Sequence, residues 1–540
     1  MRRSVIWASL WGLALLPSVW LAVQFHDLPH LGDFHDDGLY LVSAKAIAQG
    51  EGHRMSSLPA LNAAADAAPY QTKYPPLYPA WLSNAWRANP NFPANLGWFL
   101  PLAWIWLPAL AMVSRVVFRD LGFSPGWSLG LSAMVLVNPM AAYFATSLMA
   151  ELMMATLLML SLALAERKQG LASGLAAGLA FLAKSAAFPA LLTIPVLFGL
   201  RRQFRQGSYF LAIAWPCFLG WTLWAANHRD IAHVADYYVD YLGFYRANHS
   251  LADLPSIALT NIPILIMGAG RLLAFSAGYT GWSNYLATLL GLVGLFSFIR
   301  LRFSHYQAFL LVFLPMLICW NFTPHERFLL PVLPFLIAGL GAEVRQMPKM
   351  LPWARPVAAA FVLSVLYLNL EGVFAELPRV AHQQRARREQ LLPVYEWIAR
   401  ETPPTARFAA AHDPLLWLYT GRPARGMHFP TKYFYGDRRE AILRYFADLP
   451  EFMRLHHLDY ALVADDDFAL DLSPEEVKSR AAKVLSNPGL KLIHHTGKAS
   501  VMMLADAAVA PARLESDKHV SPPDTPSSPA PSAVHAAAPR

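Results

Sequence analysis

Apolar runs that carry at most two charged residues and are long enough, or nearly so, to cross a bilayer recur from the N-terminus to residue 371. A transmembrane helix needs about 20 mainly apolar residues. The runs are residues 4–26, 96–118, 127–148, 151–166, 171–183, 186–200, 209–226, 281–299, 305–321, 328–344 and 352–371. They predict a mainly α fold, a polytopic transmembrane bundle of about 10–12 helices.

The composition supports a membrane protein and argues against a soluble one. Hydrophobic residues make up 55% of the chain and charged residues 15%, whereas soluble domains carry about 25% charged residues. The net charge of +8 does not indicate nucleic-acid binding, because the basic residues lie in short clusters between the runs, as in cytoplasmic loops. Cys217 and Cys319 both lie inside apolar sequence, so no disulfide framework is expected.

The basic clusters also orient the predicted bundle. If they face the cytoplasm, the first run is an uncleaved helix that enters from that side. The segments then placed on the outer face are 25–76, 147–151, 227–256 and 322–327. Two features fit this scheme poorly. Residues 257–278 would have to cross the membrane twice or not at all. The arginine-rich stretch 379–388 follows the last run and is placed on the outer face, although arginines near a membrane span normally lie on the cytoplasmic side.

Beyond residue 371 the sequence becomes charged and mixed, which predicts a change of domain. We expect a transmembrane domain over 1–375 with an outer loop at 25–76, a soluble outer α/β domain over 388–508, and a disordered tail over 511–540. Within the soluble domain the pattern predicts a helix closed by Gly421, one long helix over 439–458, a helix capped by Ser473, and a C-terminal hairpin.

The outer loop opens with an acidic cluster that includes Asp33, Asp36 and Asp37. Asp36 or Asp37 could cap an amphipathic helix that starts near Gly38 and lies on the bilayer. One of them could instead be a catalytic carboxylate. A third alternative is a metal site, because histidines are interleaved with the aspartates, although their spacing matches no specific ligand set. These histidines are His26, His30 and His35.

Cations also accumulate on the predicted outer face. Lys73 precedes Pro75-Pro76, a pair that forces an extended turn into the membrane, so Lys73 would be held at the level of lipid phosphates. Lys184 stands inside a long apolar stretch, where a charge is costly and suggests function. The guanidinium of Arg327 has the geometry to bind phosphate oxygens. Each has a structural alternative, since the lysines could snorkel and Arg327 could pair with Glu326.

Two further features are weaker candidates. Glu151 opens another apolar run on the predicted outer face. A tyrosine-rich stretch is better explained as an interfacial aromatic belt. Its members are Tyr237, Tyr238, Tyr241 and Tyr245.

The order of these motifs resembles the C-type integral membrane glycosyltransferases, in the branch of protein O-mannosyltransferases and the lipid A aminoarabinose transferase. The resembling elements are Asp36-Asp37-Gly38-Leu39-Tyr40 with AKAIAQGEG, Lys73-Tyr74-Pro75-Pro76-Leu77-Tyr78, FLAKSA around Lys184, and the run from Arg327 to Pro334. The resemblance covers residues 1–345 and, more loosely, 388–508.

The family assigns roles to some of these positions. Its first acidic residue is the catalytic base, which implies Asp36 with Asp37 as its acidic neighbour, and its lysine before the proline pair contacts the donor phosphate, which implies Lys73. The remaining predicted substrate-binding residues are Tyr40, Tyr74, Lys184, Glu326 and Arg327. Asp33 is a third acidic candidate. The Asp-Asp pair departs from the Asp-Glu pair common in protein mannosyltransferases, so a protein acceptor is not implied.

The function predicted from this resemblance is an inverting glycosyltransferase that moves a hexose or pentose from a polyprenyl-phosphate donor to an acceptor hydroxyl or phosphate. The expected partners are that donor, a glycolipid, glycan or protein acceptor, and membrane lipid, with no nucleic acid, no cofactor and no essential metal. The expected location is a bacterial plasma membrane, with the site on the outer face. The alternatives are a transporter or flippase of lipid-linked intermediates and a non-catalytic membrane scaffold.

Overall fold

The computed structural model of the protein describes residues 2–27, 35–58, 68–228, 249–275, 281–320, 326–350, 352–426, 438–465, 467 and 473–505. Several predictions fall outside these residues. They concern His30, Asp33, the tyrosines between 237 and 245, most of the outer segment 227–256, and the tail 511–540.

The first half of the chain is helical. Its helices are α1 (Arg2–Gln24), α2 (His35–Ala48), α3 (Leu77–Ala88), α4 (Leu96–Trp104), α5 (Trp106–Asp120), α6 (Pro125–Leu136), α7 (Pro139–Ala145), α8 (Glu151–Glu166), α9 (Gly170–Ala183), α10 (Phe188–Leu200) and α11 (Phe204–Asn227). The second half of the bundle contains α12 (Leu254–Leu273), α13 (Ser283–Ile299), α14 (His305–Ile318), α15 (Glu326–Leu329), α16 (Leu333–Met350), α17 (Arg355–Glu371) and α18 (Leu377–Glu401).

Five helical stretches in the described part of the chain are long and apolar enough to span a membrane, or six if the bent pair α6 and α7 counts as one. The five are Leu96–Asp120, Phe204–Asn227, Leu251–Leu273, Glu326–Met347 and Arg355–Glu401. Shorter apolar helices occupy most of the other predicted runs. The predicted polytopic helical bundle is therefore confirmed.

Breaks in the helices have local causes. α6 and α7 meet at 59° because the Asn138 side chain accepts a hydrogen bond from the Ala141 amide and Pro139 starts a new helix. Lys184 adopts an extended conformation between α9 and α10, which makes the two short helices that the sequence predicts. Residues 254–273 form one helix of 20 residues, where the charge pattern allowed no simple assignment.

The prediction of an amphipathic α2 on the bilayer surface is wrong. α2 begins at His35 rather than near Gly38, and most of its residues are buried, including Leu39 and Val42 on the predicted lipid face. Other protein elements cover the helix. The Trp86 indole of α3 donates to the Leu41 carbonyl over 3.1 Å.

The arginines after the last apolar run lie beside the N-terminal helix. α17 continues through a π-helical turn at Gly372–Glu376 into α18, so the helix extends from residue 355 to 401. Arg385 and Arg388 contact the carboxylate of Asp27 at 2.8 and 3.3 Å. The arginines are thus at the same end of α1 as the acidic loop. The boundary predicted between residues 375 and 388 falls within this helix, so the division into domains stays a prediction.

A five-stranded sheet follows, with the order β2-β1-β3-β5-β4. Its strands are β1 (Phe408–Ala410), β2 (Ala424–Arg425), β3 (Tyr460–Ala464), β4 (Leu490–Thr496) and β5 (Ala499–Leu504). β1 is parallel to β2 and β3, whereas β5 is antiparallel to β3 and β4. Apolar clusters cover both faces, because Phe408 and Leu462 point to one and Ala409 and Ala461 to the other.

The helices around this sheet are α19 (Asp413–Thr420), α20 (Arg438–Ala447), α21 (Leu449–Leu455) and α22 (Pro474–Leu485). The C-terminal α/β region is confirmed, including the left-handed Gly421 after α19 and the capping box at Ser473. The single long helix predicted over 439–458 is wrong. It divides into α20 and α21 near Asp448, because Pro450 lacks the amide needed to continue the helix and instead occupies the first turn of the next one.

Candidate functional site

Asp36 lies in the first turn of α2 and is contacted by residues from two distant segments. The hydroxyl of Tyr74 donates a hydrogen bond to Oδ1. Nη2 of Arg327 lies 3.4 Å from Oδ2. Because the side chain of Asp36 is only 11% exposed, both of its oxygens are held by protein groups in a nearly closed environment.

The charges around Asp36 keep it ionised. Burial alone would raise its pKa, but the positive charges of Arg327, Lys73 and Lys184, with the hydrogen bond from Tyr74, outweigh burial and hold the pKa well below its usual value. Three of the cations named from the sequence therefore act on one carboxylate. An electropositive site of this kind also suits a phosphate.

Two hydrogen bonds hold the backbone at Lys73 and Tyr74. Its backbone amide donates to Oε1 of Gln71 over 3.0 Å, and the ring of His53 donates to the Tyr74 carbonyl over 2.9 Å. Burial lowers the pKa of His53 to about 4, so the ring is neutral at physiological pH. Burial also lowers the pKa of Lys73 to about 8, although Asp36 and Asp413 oppose this change.

Tyr40 lies one helical turn after Asp36 in α2. Its ring centroid lies 4.9 Å from that of Tyr74 and 5.2 Å from that of Tyr78. The hydroxyls of Tyr40 and Tyr78 are buried and make no hydrogen bond within the described ranges. Burial, followed by the negative charges of Glu151 and Asp36, raises the pKa of Tyr40 well above its usual value. Both hydroxyls thus lie in the protein interior close to Asp36, without a hydrogen-bond partner among the described residues.

Lys184 forms an ion pair with Glu151, which was only a weak candidate from the sequence. Nζ of Lys184 lies 2.6 Å from Oε1 of Glu151, and the two side chains are 14% and 3% exposed. Glu151 begins α8 and Lys184 occupies the break between α9 and α10. Oε2 of Glu151 is buried and has no hydrogen-bond partner in the part of the chain that the structure describes.

Breaking this ion pair is expected to destabilise the protein. Glu151→Ala should lower the free energy of unfolding by about 3 kcal/mol, because it leaves the charge of Lys184 buried and unpaired. Thermal unfolding in detergent measures the effect. The double variant Glu151→Gln, Lys184→Met should recover part of the loss, and Glu401→Gln, at an exposed pair with Arg400, is the control. A Glu151→Ala protein as stable as that control would contradict the prediction.

The remaining predicted residues have other neighbours. Glu326 and Arg327 are adjacent in α15, but Glu326 pairs with Arg271 at 3.2 Å rather than with Arg327. Arg271 also donates to Asn284 over 2.7 Å. The structure therefore joins Glu326 to α12 and α13, and its role in substrate binding stays a prediction.

Asp37 and the histidines do not assemble into a metal site in the described residues. The carboxylate of Asp37 accepts the backbone amide of Gly38, as an acid in the first turn of a helix does. His35 contacts Asp413, and His26 bonds to its own helix at the Val23 carbonyl. No group of three or more histidine, cysteine or acidic side chains suited to a metal ion is found in the described ranges.

Comparisons with known proteins support the fold. No protein-family model and no curated protein sequence matches the chain. Among solved structures, ArnT from Cupriavidus metallidurans bound to undecaprenyl phosphate matches with a TM-score of 0.53 and 14% identity, over 92% of this chain and 97% of that one. In the apo state, ArnT matches with a TM-score of 0.51 and 14% identity, over 93% and 98%.

A second group of similar structures is archaeal. The oligosaccharyltransferase AglB from Archaeoglobus fulgidus, in complex with an inhibitory peptide and a dolichol-phosphate, matches with a TM-score of 0.53 and 13% identity. The match covers 86% of this chain and 70% of AglB. The chain therefore has the fold of the C-type integral membrane glycosyltransferases, the fold that the resemblance of its motifs predicted.

Proposed function

We propose that this chain is a multi-pass membrane glycosyltransferase that moves a sugar from a polyprenyl-phosphate donor to an acceptor hydroxyl or phosphate. The observation that carries the proposal is the buried carboxylate of Asp36, with Arg327 at 3.4 Å and the charges of Lys73 and Lys184 acting on it. The similar structures support it, since ArnT was solved bound to undecaprenyl phosphate and AglB in complex with a dolichol-phosphate.

The reaction needs one base and a set of cations. The acceptor oxygen attacks the anomeric carbon, the bond from that carbon to the donor phosphate breaks, and the acceptor proton passes to Asp36. Arg327 and Lys73 stabilise the negative charge that develops on the phosphate. Polyprenyl phosphate leaves without a general acid, and a single displacement inverts the anomeric centre.

Donor binding would also activate the base. Without donor, Arg327 and Tyr74 occupy the two oxygens of Asp36, and the surrounding cations hold its pKa far below neutrality. A carboxylate with so low a pKa accepts protons poorly. The donor phosphate offsets the positive charge of Arg327 and Lys73, which returns the pKa of Asp36 toward its usual range. The base therefore becomes effective once the donor is bound.

The site would lie on the outer face of a bacterial plasma membrane. Such an enzyme would use a glycolipid, a cell-envelope glycan or a protein as acceptor, and the Asp36-Asp37 pair does not favour the protein. A lipid-monophosphate donor already contains a competent leaving group, so the proposed chemistry needs no metal. The surrounding lipid would hold the polyprenyl chain.

The proposal predicts that one of a panel of labelled polyprenyl-phosphate sugars supports transfer. The purified protein is reconstituted in vesicles with a membrane extract as acceptor, and both the labelled product and the released polyprenyl phosphate are measured, with and without a chelator. Transfer should persist in the chelator, and NMR of the product should find the anomeric configuration inverted. Movement of the donor across the bilayer without transfer would contradict the proposal and support a transporter.

A further inference from the structure

Helix α19 of the C-terminal region contacts the first turn of α2, which carries Asp36. Nε2 of His35 lies 2.7 Å from Oδ1 of Asp413, the first residue of α19. The side chain of Asp413 is 3% exposed. The two residues are 378 positions apart in the chain, so the contact joins the C-terminal region to the residue directly before the proposed base.

Two glycines allow the backbones to approach this contact closely. A Cβ atom on Gly38 of α2 would lie 2.7 Å from Cβ of Pro414. A Cβ atom on Gly426 would lie 2.4 Å from Oδ1 of Asp413 and 3.5 Å from Nε2 of His35. A larger residue would displace Pro414 of α19 at position 38 and the carboxylate of Asp413 at position 426. The carboxylate of Asp413 is therefore enclosed by neighbouring backbone, while the side chain of His35 stays 41% exposed on its other side.

The contact between α2 and α19 continues along one face of each helix. Positions 35, 38 and 45 share a face of α2, because residues three and seven apart align on a helix. Nζ of Lys45 lies 4.4 Å from the ring centroid of Trp417, which is one turn after Asp413. Trp86 of α3 is 5.3 Å from the same ammonium. The interface thus extends over most of α2.

Two further contacts join the C-terminal region to the loops that follow α2 and α3. The Ala424 amide of β2 donates to the Ser57 carbonyl over 2.8 Å. The ring of Tyr419 packs against Phe92 with centroids 4.9 Å apart. The C-terminal region is therefore anchored at these two loops as well as at α2.

We propose that α19 is a positioning element of the transferase site, in which Asp413 acts through His35 to hold the first turn of α2 and so the carboxylate of Asp36. The inference rests on the proposed function, and Asp413 is a positioning residue with no contact to Asp36. Terminal turns of helices open readily, whereas a base must be held within about 0.5 Å of its productive place. Because the charge of Asp413 also favours the ammonium form of Lys73, whose pKa is about 8, the rates are measured at pH 6.5, where that contribution is small.

The test is a double-mutant cycle with Asp413→Asn and His35→Asn. Each single variant should lower kcat by about 10- to 100-fold, the cost of a small misplacement of a reacting group, with the KM for the donor changed by less than about twofold. The double variant should be no worse than either single one, because both remove the same contact. Asp448→Asn, at an exposed position near α21, is the matched control. A kcat of Asp413→Asn equal to that of the control, or additive effects, would overturn the proposal.

Hydrogen exchange supplies a readout that does not require activity. In Asp413→Asn, the amides of residues 36–40 should exchange faster, while those of β3 and β5 keep their wild-type rates. Faster exchange throughout the sheet would mean unfolding of the C-terminal region and would overturn the positioning role. If the wild type transfers no sugar at all, the proposed function fails, and the exchange rates of residues 36–40 still decide whether Asp413 holds that turn.

Discussion

Asp36→Asn is expected to lower the rate of sugar transfer by about 10²–10⁴-fold, the usual contribution of a general base. Asparagine keeps the shape of the side chain but cannot accept the acceptor proton. The KM for the donor should not rise, because the substitution releases Arg327 from its contact with Asp36 at 3.4 Å. The measurement is the initial rate of transfer in reconstituted vesicles at equal protein.

The pattern of kcat and KM separates a base from a structural carboxylate. Glu51→Gln removes an exposed acid from the same loop and should leave the rate within about twofold of wild type, as exposed substitutions usually do. If Asp36→Asn transfers sugar as fast as Glu51→Gln, Asp36 is not the base, and Asp37 becomes the first candidate among the described residues.

Lys73→Met is expected to lower kcat/KM by about 10²–10³-fold, the typical cost of removing a group that stabilises developing charge. Methionine replaces the aliphatic stem but not the ammonium. The loss should appear both in donor binding and in the chemical step, because the phosphate carries charge in the ground state and gains more in the transition state. Lys491→Met, at an exposed position in β4, is the control. Activity equal to that of the control would exclude Lys73 from phosphate binding.

The pH dependence of the wild type provides a second test of Lys73. Burial lowers its pKa to about 8, so the ammonium form predominates below pH 8 and is lost as the pH rises through that value. Because kcat/KM reports ionisations of the free enzyme, it should be level below pH 8 and fall above it. The residual activity of Lys73→Met should lack this decline. The same decline in Lys73→Met would assign it to another group.

The sequence alone predicted the helices and several of their ends. Apolar runs with few charges become helices because a bilayer requires length and internal hydrogen bonding, which are local properties of a segment. Gly421 and Ser473 ended and started helices as predicted, since caps depend on neighbouring residues. The break at Asp448 was missed because a long apolar periodicity outweighed Pro450 in the prediction.

The candidate site was accessible from the sequence only as separate parts. Asp36, Lys73, Lys184 and Arg327 were named from motifs and from the cost of intramembrane charge, and the structure brings their charges together. Glu151 was a weak candidate and Asp413 was not one. Neither carries a local signal for its partner, because the lysine that pairs with Glu151 and the histidine that contacts Asp413 lie in other segments.

The amino-acid sequence by itself determined that this is a helical membrane protein with an acidic loop and a lysine before a proline pair, because hydropathy, helix length and proline geometry act over short distances. Only the tertiary structure decided which charges meet. Arg327 contacts Asp36 across 291 positions and Asp413 contacts His35 across 378. The pattern of α2 predicted a helix on the bilayer surface. In the structure α2 is buried instead, because α3 and α19 pack against it. Contacts at such separations depend on how helices pack, which no local pattern encodes.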